Sequence, residues 1–173
     1  MSKSLLLQPD LVLGDVVTKL SPSIIQEYGL KGLVLDVDET LVPFKQSIIS
    51  TELMDWITEV RPLVDLWLVS NNLSKSRISA IASSLDVPFI FGARKPSRKK
   101  LRQAVDAMNH PVDKVAMVGD RLFTDVLAGN RLGMFTIFVE PMESTEISKS
   151  PLFSIRNFEV WFSQKIGVSV YKN

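Results

Sequence analysis

Cysteine is absent from the 173-residue chain, and histidine occurs once, at His110. The first absence removes disulfides, thiolate catalysis and cysteine-ligated zinc. The second removes any histidine-based catalytic triad and any multi-histidine metal site. His110 itself, beside Pro111, reads as a turn residue. A dominant charge is missing too: 20 Lys and Arg face 19 Asp and Glu, a formal net charge of +1. No global field therefore draws the chain to nucleic acid. No run is long and apolar enough to span a bilayer. The opening "MSKSLLLQPDLVLGD" holds one lysine, and its three leucines are broken off by Gln8, Pro9 and Asp10. That is too short for a secretory signal. It reads as a strand or helix end packed on the core, with a shallow membrane contact as the weaker alternative. The location these absences lead us to expect is intracellular, in cytoplasm or an organelle matrix, with peripheral membrane contact as an option.

What is present fits a globular protein: 46% of residues are apolar and 23% charged. The length predicts one domain over residues 1–173, with an N-terminal segment (1–30) and a C-terminal helix (152–167) packed on it. Five short runs read as strands: Gly32–Val37, Leu66–Ser70, Val87–Phe91, Val115–Gly119 and Phe135–Val139. Each is apolar nearly throughout rather than alternating, the pattern of a parallel sheet covered on both faces. Helical stretches lie between them. "SPSIIQEYG" has a Ser cap, Pro at the first helical position and Gly as the stop. "STELMDWITEV", "SKSRISAIASSL" and "SRKKLRQAVDAM" each place four apolar residues on one face. "RLFTDVLAGNRLG" ends in Gly133, a helix stop. The tail reads as a loop, "ESTEISKSP", then a closing helix, whose Phe158, Trp161, Phe162 and Ile166 are expected to dock on the core. The alternation predicts a doubly wound, Rossmann-like α/β fold with a five-stranded parallel sheet and helices on both faces.

In such sheets ligands bind beyond the carboxyl ends of the strands. Asp36 and Asp38 follow the first run, and Ser70, Asn71 and Asn72 the second. Lys95 comes shortly after the third, and Asp120, with Asp125 about one helical turn on, after the fourth. Several carboxylates without His or Cys make a hard oxygen site suited to Mg²⁺. A lysine among them would neutralise an anionic substrate, and a Ser hydroxyl with backbone N–H groups can hold phosphate oxygens. A carboxylate beside Mg²⁺ can attack phosphorus and form an aspartyl-phosphate. A second carboxyl two residues on can protonate the leaving oxygen and then deprotonate water.

These residues resemble the four motifs of the haloacid dehalogenase-like (HAD) phosphatases. "DVDET" is similar to the DxDxT motif, "LVSNN" to the strand ending in Ser or Thr, "RKPS" to the Lys motif and "VGDRLFTD" to GDxxxxD. They occur in the family's order. The resemblance implies Asp36 as nucleophile and Mg²⁺ ligand. Asp38 would be the general acid/base, with its backbone carbonyl on the metal. Thr40 would support the loop, Ser70 would bind the phosphoryl group with a backbone contact from Asn71, and Lys95 would bind phosphate and steady Asp36. Asp120 would be a ligand and Asp125 a ligand or an outer partner. Glu39 is expected to face solvent, with no role. The intervals from Asp36 to Ser70 and from Ser70 to Lys95 leave no room for a lid domain, so the resemblance implies a capless enzyme with an open site. "GLKGL" (Gly29–Leu33), "SNN" and "GDRLFTD" are more particularly similar to the YqeG-like branch. That branch includes mitochondrial phosphatidylglycerophosphate phosphatases, so a phospholipid head group is one substrate it implies. A nucleotide, sugar phosphate or phosphoprotein is the alternative. A response-regulator-like domain is rejected by order, since its Lys-Pro comes at the last strand whereas Lys95 precedes Asp120. A non-catalytic phosphate- or membrane-binding module is disfavoured by the completeness of the motifs.

One feature lies outside the motifs. "RKPSRKKLR" sets Arg94, Lys95, Arg98, Lys99, Lys100 and Arg102 within nine positions at the start of a helix, where cations oppose the macrodipole. A solvated helix face is the plain reading. Attraction of Arg98, Lys99 and Lys100 to an anionic membrane is the functional one. Few aromatics interleave, which argues against single-stranded nucleic acid.

Overall fold

A computed structural model of the chain describes residues 6–142 and 151–170. Six parallel strands form its sheet: β1 (Leu11–Val12), β2 (Gly32–Leu35), β3 (Asp65–Val69), β4 (Phe89–Ile90), β5 (Val115–Gly119) and β6 (Phe135–Phe138), in spatial order β1-β6-β5-β2-β3-β4. The expected sheet had five strands. The sixth is β1, whose two residues pair with Ile137 and Phe138 of β6; two residues are too few to show a periodicity in sequence. The expected runs are also trimmed: β2 ends at Leu35, β4 keeps only two residues and β6 ends at Phe138. The predicted loop at residues 143–150 lies outside the described residues.

Helices α1 (Pro22–Glu27), α2 (Thr51–Val60), α3 (Lys75–Leu85), α4 (Lys99–Met108), α5 (Leu127–Leu132) and α6 (Pro151–Lys165) follow in chain order. Ser21, Ser50 and Ser74 cap the first three by accepting a bond from the backbone N–H three residues on. α4 follows Arg98, which gives it no side-chain cap. Gly133, in the left-handed region at φ 84°, stops α5.

Strand alternation divides the core in two. Leu33, Leu35 and Val37 point to the face covered by α2 and α3, with Leu53, Ile57, Ile78 and Ile81. Val34 points to the other face, where Leu101, Val105 and Met108 of α4 and Ala128 of α5 meet Met117. Gly129 lets α5 lie close on the sheet: a Cβ there would fall 2.6 Å from the Thr136 methyl and 3.0 Å from the Met117 Cβ. Strand order reverses between β2 and β5, which are neighbours although two βα units separate them in sequence. Their carboxyl ends therefore open the crevice at the switch point. Between Asp36 and Ser70 the chain forms only the connecting loops, α2 and β3; between Ser70 and Lys95, only α3 and β4.

Candidate active site

The four polar strand ends meet in one pocket of about 220 Å³, lined by Asp36, Asp38, Ser70, Asn71, Asn72, Lys95 and Asp120 together with Glu39, Phe44, Arg121 and Thr124. Beyond Leu35 the chain leaves the sheet in a tight loop. Leu41 and Val42 both donate their N–H to the Val37 carbonyl, and the Glu39 N–H bonds the Val42 carbonyl. This loop brings Asp36 and Asp38 to the same edge while Val37 is buried. Glu39 departs from expectation: it is buried, with φ 63°, and its carbonyl accepts from the Met142 N–H. The left-handed turn rotates the residue inward, which no hydropathy pattern reports.

Lys95 is the centre of the site. Its ammonium lies 2.6 Å from Asp36 Oδ1 and 2.7 Å from Asp125 Oδ1, and it donates to the Val69 carbonyl at 2.9 Å. Burial works against this charge, but the attraction of Asp125 and Asp36 outweighs it and holds Lys95 above the ordinary lysine range. Beyond the backbone contact the resemblance implies for Asn71, its side chain braces Lys95 from both sides: Nδ2 donates to the Lys95 carbonyl at 3.1 Å and Oδ1 accepts from the Lys95 N–H at 2.6 Å. The Ser70 hydroxyl accepts from the Asn72 N–H at 3.0 Å.

β5 supplies the remaining acids. Gly119 is required for close approach, because a Cβ there would collide with the Asp125 carboxylate. A π-helical turn, Leu122–Val126, carries Asp125 back so that its Oδ2 accepts from the Arg121 N–H at 3.2 Å. Thr40 donates to Asp120 Oδ1 at 3.2 Å and stands 3.5 Å from Asp36 Oδ2. Asp120 Oδ2 is buried with no hydrogen-bond partner. Burial, then the charges of Asp36 and Asp125, pushes the Asp120 carboxyl well above its usual range. Burial likewise pushes Asp125 up to about 7, against the pull of Lys95. One oxygen from each of Asp36, Asp120 and Asp125 falls within 4.8 Å of the others. Of the three buried carboxylates, Asp36 and Asp125 share the one ammonium, while Asp120 has Thr40 on one oxygen and the other is orphaned. Hard oxygen donors with this excess of negative charge fit a divalent cation.

The carboxylate of Asp38 stands outside that group. Arg77 Nη1 of α3 lies 2.7 Å from its Oδ1, and Asn72 Nδ2 donates to its Oδ2 at 3.1 Å. Arg77 is itself held by the Gln46 carbonyl, which accepts from Nε and Nη2. The motifs contained no sign of Arg77; a lone arginine one turn into a capped helix looks like any solvated residue.

A second unforeseen layer comes from α6. Glu159 accepts from Arg121 Nε at 3.0 Å, also bonds Arg121 Nη2, and accepts from the Leu122 N–H at 3.2 Å. Arg156 donates from Nε to the Asp120 carbonyl at 3.1 Å and from Nη2 to Glu140 Oε2 at 2.9 Å, with its guanidinium over the Phe138 ring. The helix thus holds the backbone that presents Asp120. The expectation that Phe158, Trp161, Phe162 and Ile166 dock on the core is overturned: all four are exposed, and Arg156, Glu159 and Ser163, with Val160, face the protein instead.

Comparison with known proteins bears on this geometry. A family model described as HAD-hydrolase-like matches residues 92–146, the part holding Lys95, Asp120 and Asp125. The "Probable phosphatase YqeG" of Bacillus subtilis is 35% identical over 128 residues, covering 73% of this chain and 74% of that protein. The chain belongs to the YqeG family of HAD-like phosphatases. It is accordingly a phosphoric monoester hydrolase, and its substrate carries a phosphate. The chloroplastic phosphatidylglycerophosphate phosphatase 1 of Chlamydomonas reinhardtii is 26% identical over 83% of this chain and 56% of its own length. The chloroplastic/mitochondrial enzyme of the same name from Arabidopsis thaliana is 27% identical over 71% of this chain and 38% of its length. Among solved structures, a HAD-like phosphatase from Mesorhizobium loti superposes with a TM-score of 0.52 at 17% identity, covering 82% of this chain and 90% of that one. At that identity the likeness speaks for the fold. No helix among the described residues is long and apolar enough to cross a membrane.

Proposed function

We propose that this phosphatase removes a terminal phosphate from a phospholipid head group, with phosphatidylglycerophosphate as the substrate, through an aspartyl-phosphate on Asp36 and with Mg²⁺ as cofactor. The observation that carries the mechanism is the charge imbalance: three buried carboxylates to one lysine, with Asp120 Oδ2 unpartnered, and with Asp36, Asp120 and Lys95 lining the pocket and Asp125 behind them.

In this reading the free Asp36 oxygen attacks phosphorus, and the bond to the leaving oxygen breaks. Asp38, at the rim, gives that oxygen its proton. Arg77 and Asn72 hold the Asp38 carboxyl in place for this. A water then enters, Asp38 takes its proton, and the oxygen attacks the phosphorus of the acyl phosphate. The Asp36–phosphate bond breaks and inorganic phosphate leaves. Lys95, the Ser70 hydroxyl and backbone N–H groups beside Asn71 bind the phosphoryl oxygens, while Thr40 steadies Asp36 and Asp120. Mg²⁺, held by Asp36, Asp120, the Asp38 carbonyl and Asp125 directly or at one remove, would offset repulsion between carboxylate and phosphate and stabilise transition-state charge.

The choice of a lipid substrate draws on the plant and algal relatives and on the absence of an inserted lid. It also draws on the exposed Arg98 and Lys99 beside half-buried Lys100 at the start of α4, which suit an anionic membrane. Phosphate release should be measured from phosphatidylglycerophosphate in vesicles and from glycerol 3-phosphate and a nucleoside monophosphate in solution, each with Mg²⁺ and with chelator. We expect the highest kcat/KM on the vesicle substrate, none in chelator, and loss of at least about 10⁴-fold in Asp36→Asn. A soluble ester preferred over the lipid would move the substrate to the soluble class. Undiminished turnover in chelator or in Asp36→Asn would overturn the mechanism.

A further inference from the structure

α6 is amphipathic the wrong way round. Among its described side chains the most deeply buried are polar or charged, Arg156, Glu159 and Ser163 at 8%, 1% and 0% exposed, with the half-buried Val160 beside them against Leu122 and Val126. Its outward stripe is apolar and mostly aromatic. Phe158 and Trp161 are each 55% exposed, Ile155 45%, Phe162 40% and Ile166 37%. Spacings of three and four residues put Ile155, Phe158, Trp161 and Phe162 on one side of the helix, and Ile166 follows directly after its last residue. A surface helix whose only demand is its own protein's core carries the opposite arrangement. Isolated exposed apolar residues are ordinary, but a contiguous aromatic stripe marks an interaction face.

We infer that this face of α6 is an interfacial membrane anchor that seats the active-site mouth on an anionic lipid surface. The inference rests on the phospholipid reading above and names the surface on which that substrate is met. Three observations select a bilayer rather than another occupant. The first is charge. Glu159 is the one acidic residue in α6, and it is turned inward against Arg121, so no carboxylate faces outward. Lys165 lies with its ammonium 5.9 Å from the centre of the Trp161 ring, placing a cation at the edge of the apolar stripe. The second is composition. Trp and Phe above a Lys suit the boundary between head groups and acyl chains, while the helix is too short and too polar to cross. The third is position. The polar stripe is bonded to Asp120, Arg121 and Leu122, and Phe162 meets Phe123 edge to face at 5.8 Å. The anchor therefore adjoins the loop that presents Asp120 and Arg121 to the pocket, next to the place where a head-group phosphate enters.

The test separates binding from turnover. Flotation with vesicles of phosphatidylcholine and phosphatidylglycerol, and with phosphatidylcholine alone, is compared for the wild type and for Phe158→Ser/Trp161→Ser, alongside hydrolysis of p-nitrophenyl phosphate. Both side chains are exposed, so the variant should fold. We expect the wild type to float with anionic vesicles, the variant to bind them at least about tenfold more weakly, and p-nitrophenyl phosphate turnover to be unchanged. Failure of the wild type to bind, or equal binding by the variant, would overturn the anchor. Loss of p-nitrophenyl phosphate turnover in the variant would also overturn it, by showing that the stripe supports the catalytic loop. An oligomer in light scattering that the variant dissolves would assign the face to a second copy instead. Vesicle binding without hydrolysis of phosphatidylglycerophosphate would leave the anchor standing and remove only the substrate.

Discussion

Two ionic clusters lie side by side at the end of β5, the first buried and the second mostly buried apart from the half-exposed Glu140, and their charge is balanced differently. In the first, Lys95 stands between Asp36 and Asp125 with Asp120 beside them, three carboxylates to one ammonium. In the second, Arg121 pairs with Glu159 and Arg156 with Glu140, one carboxylate to each guanidinium. A balanced buried pair is self-contained; breaking it costs stability because the surviving charge is stranded. An unbalanced cluster is held open by the fold around it and is completed by what binds there. The balanced layer supports the unbalanced one, through the Asp120 carbonyl and the Leu122 N–H.

Asp38 belongs to neither cluster, and, after that of Asp36, its substitution should have the largest effect on turnover. Asp38→Asn should lower kcat on an alkyl phosphate about 10²–10⁴-fold, and because it removes the charge paired with Arg77 it should lower the melting temperature as well. The loss should be smaller with p-nitrophenyl phosphate, whose leaving group needs no proton. Equal losses on the two esters would remove the general-acid role. Next comes the balanced layer. Glu159→Ala strands Arg121 and should cost about 3 kcal/mol in denaturant unfolding, with apparent Mg²⁺ affinity weakened about tenfold. Unchanged stability would mean that solvent already satisfies Arg121.

The unbalanced layer should respond with the opposite sign. Asp120→Asn removes one of three crowded charges. In chelator it should raise stability by about 1 kcal/mol, a shift of roughly 2–4 °C in melting temperature, and it should abolish stabilisation by Mg²⁺. A lower melting temperature in chelator would show the cluster to be balanced without a cation. The same imbalance sets a pH dependence. Asp120 and Asp125 have raised pKa values in the folded protein, Asp125 to about 7. The folded state then holds protons that the unfolded chain releases until well below pH 5. In chelator, stability should rise as pH falls from 8 through 7 and be lost again as pH rises. A flat profile would contradict it. The smallest effect belongs to the exposed Lys19–Glu52 pair, 2.9 Å apart at the surface. Lys19→Ala should leave the melting temperature unmoved, since water and salt already screen the pair.

Much of the active edge was legible because a parallel strand is apolar until it ends. Leu33–Leu35 and Val115–Val118 leave the polar residues that follow them nowhere to go but the carboxyl edge. Other residues gave no such mark. Arg77 reaches Asp38 from a different βα unit, and Arg156 and Glu159 come from a helix whose apolar stripe pointed to the wrong docking face. Glu39 is buried by a left-handed turn, and β1 is too short to carry a pattern.

By itself the sequence determined the parallel α/β order, the four motifs and the residue types able to handle a phosphate. Those follow from local rules: burial on both faces of a strand, serine caps, and a glycine where Asp125 must approach. Only the tertiary structure decided that three carboxylates crowd one lysine, that a balanced pair of ion pairs holds the loop beneath them, and that α6 turns its aromatic side outward. Electrostatic energy depends on distance and burial between residues far apart in the chain, and those distances exist only once the strands are placed.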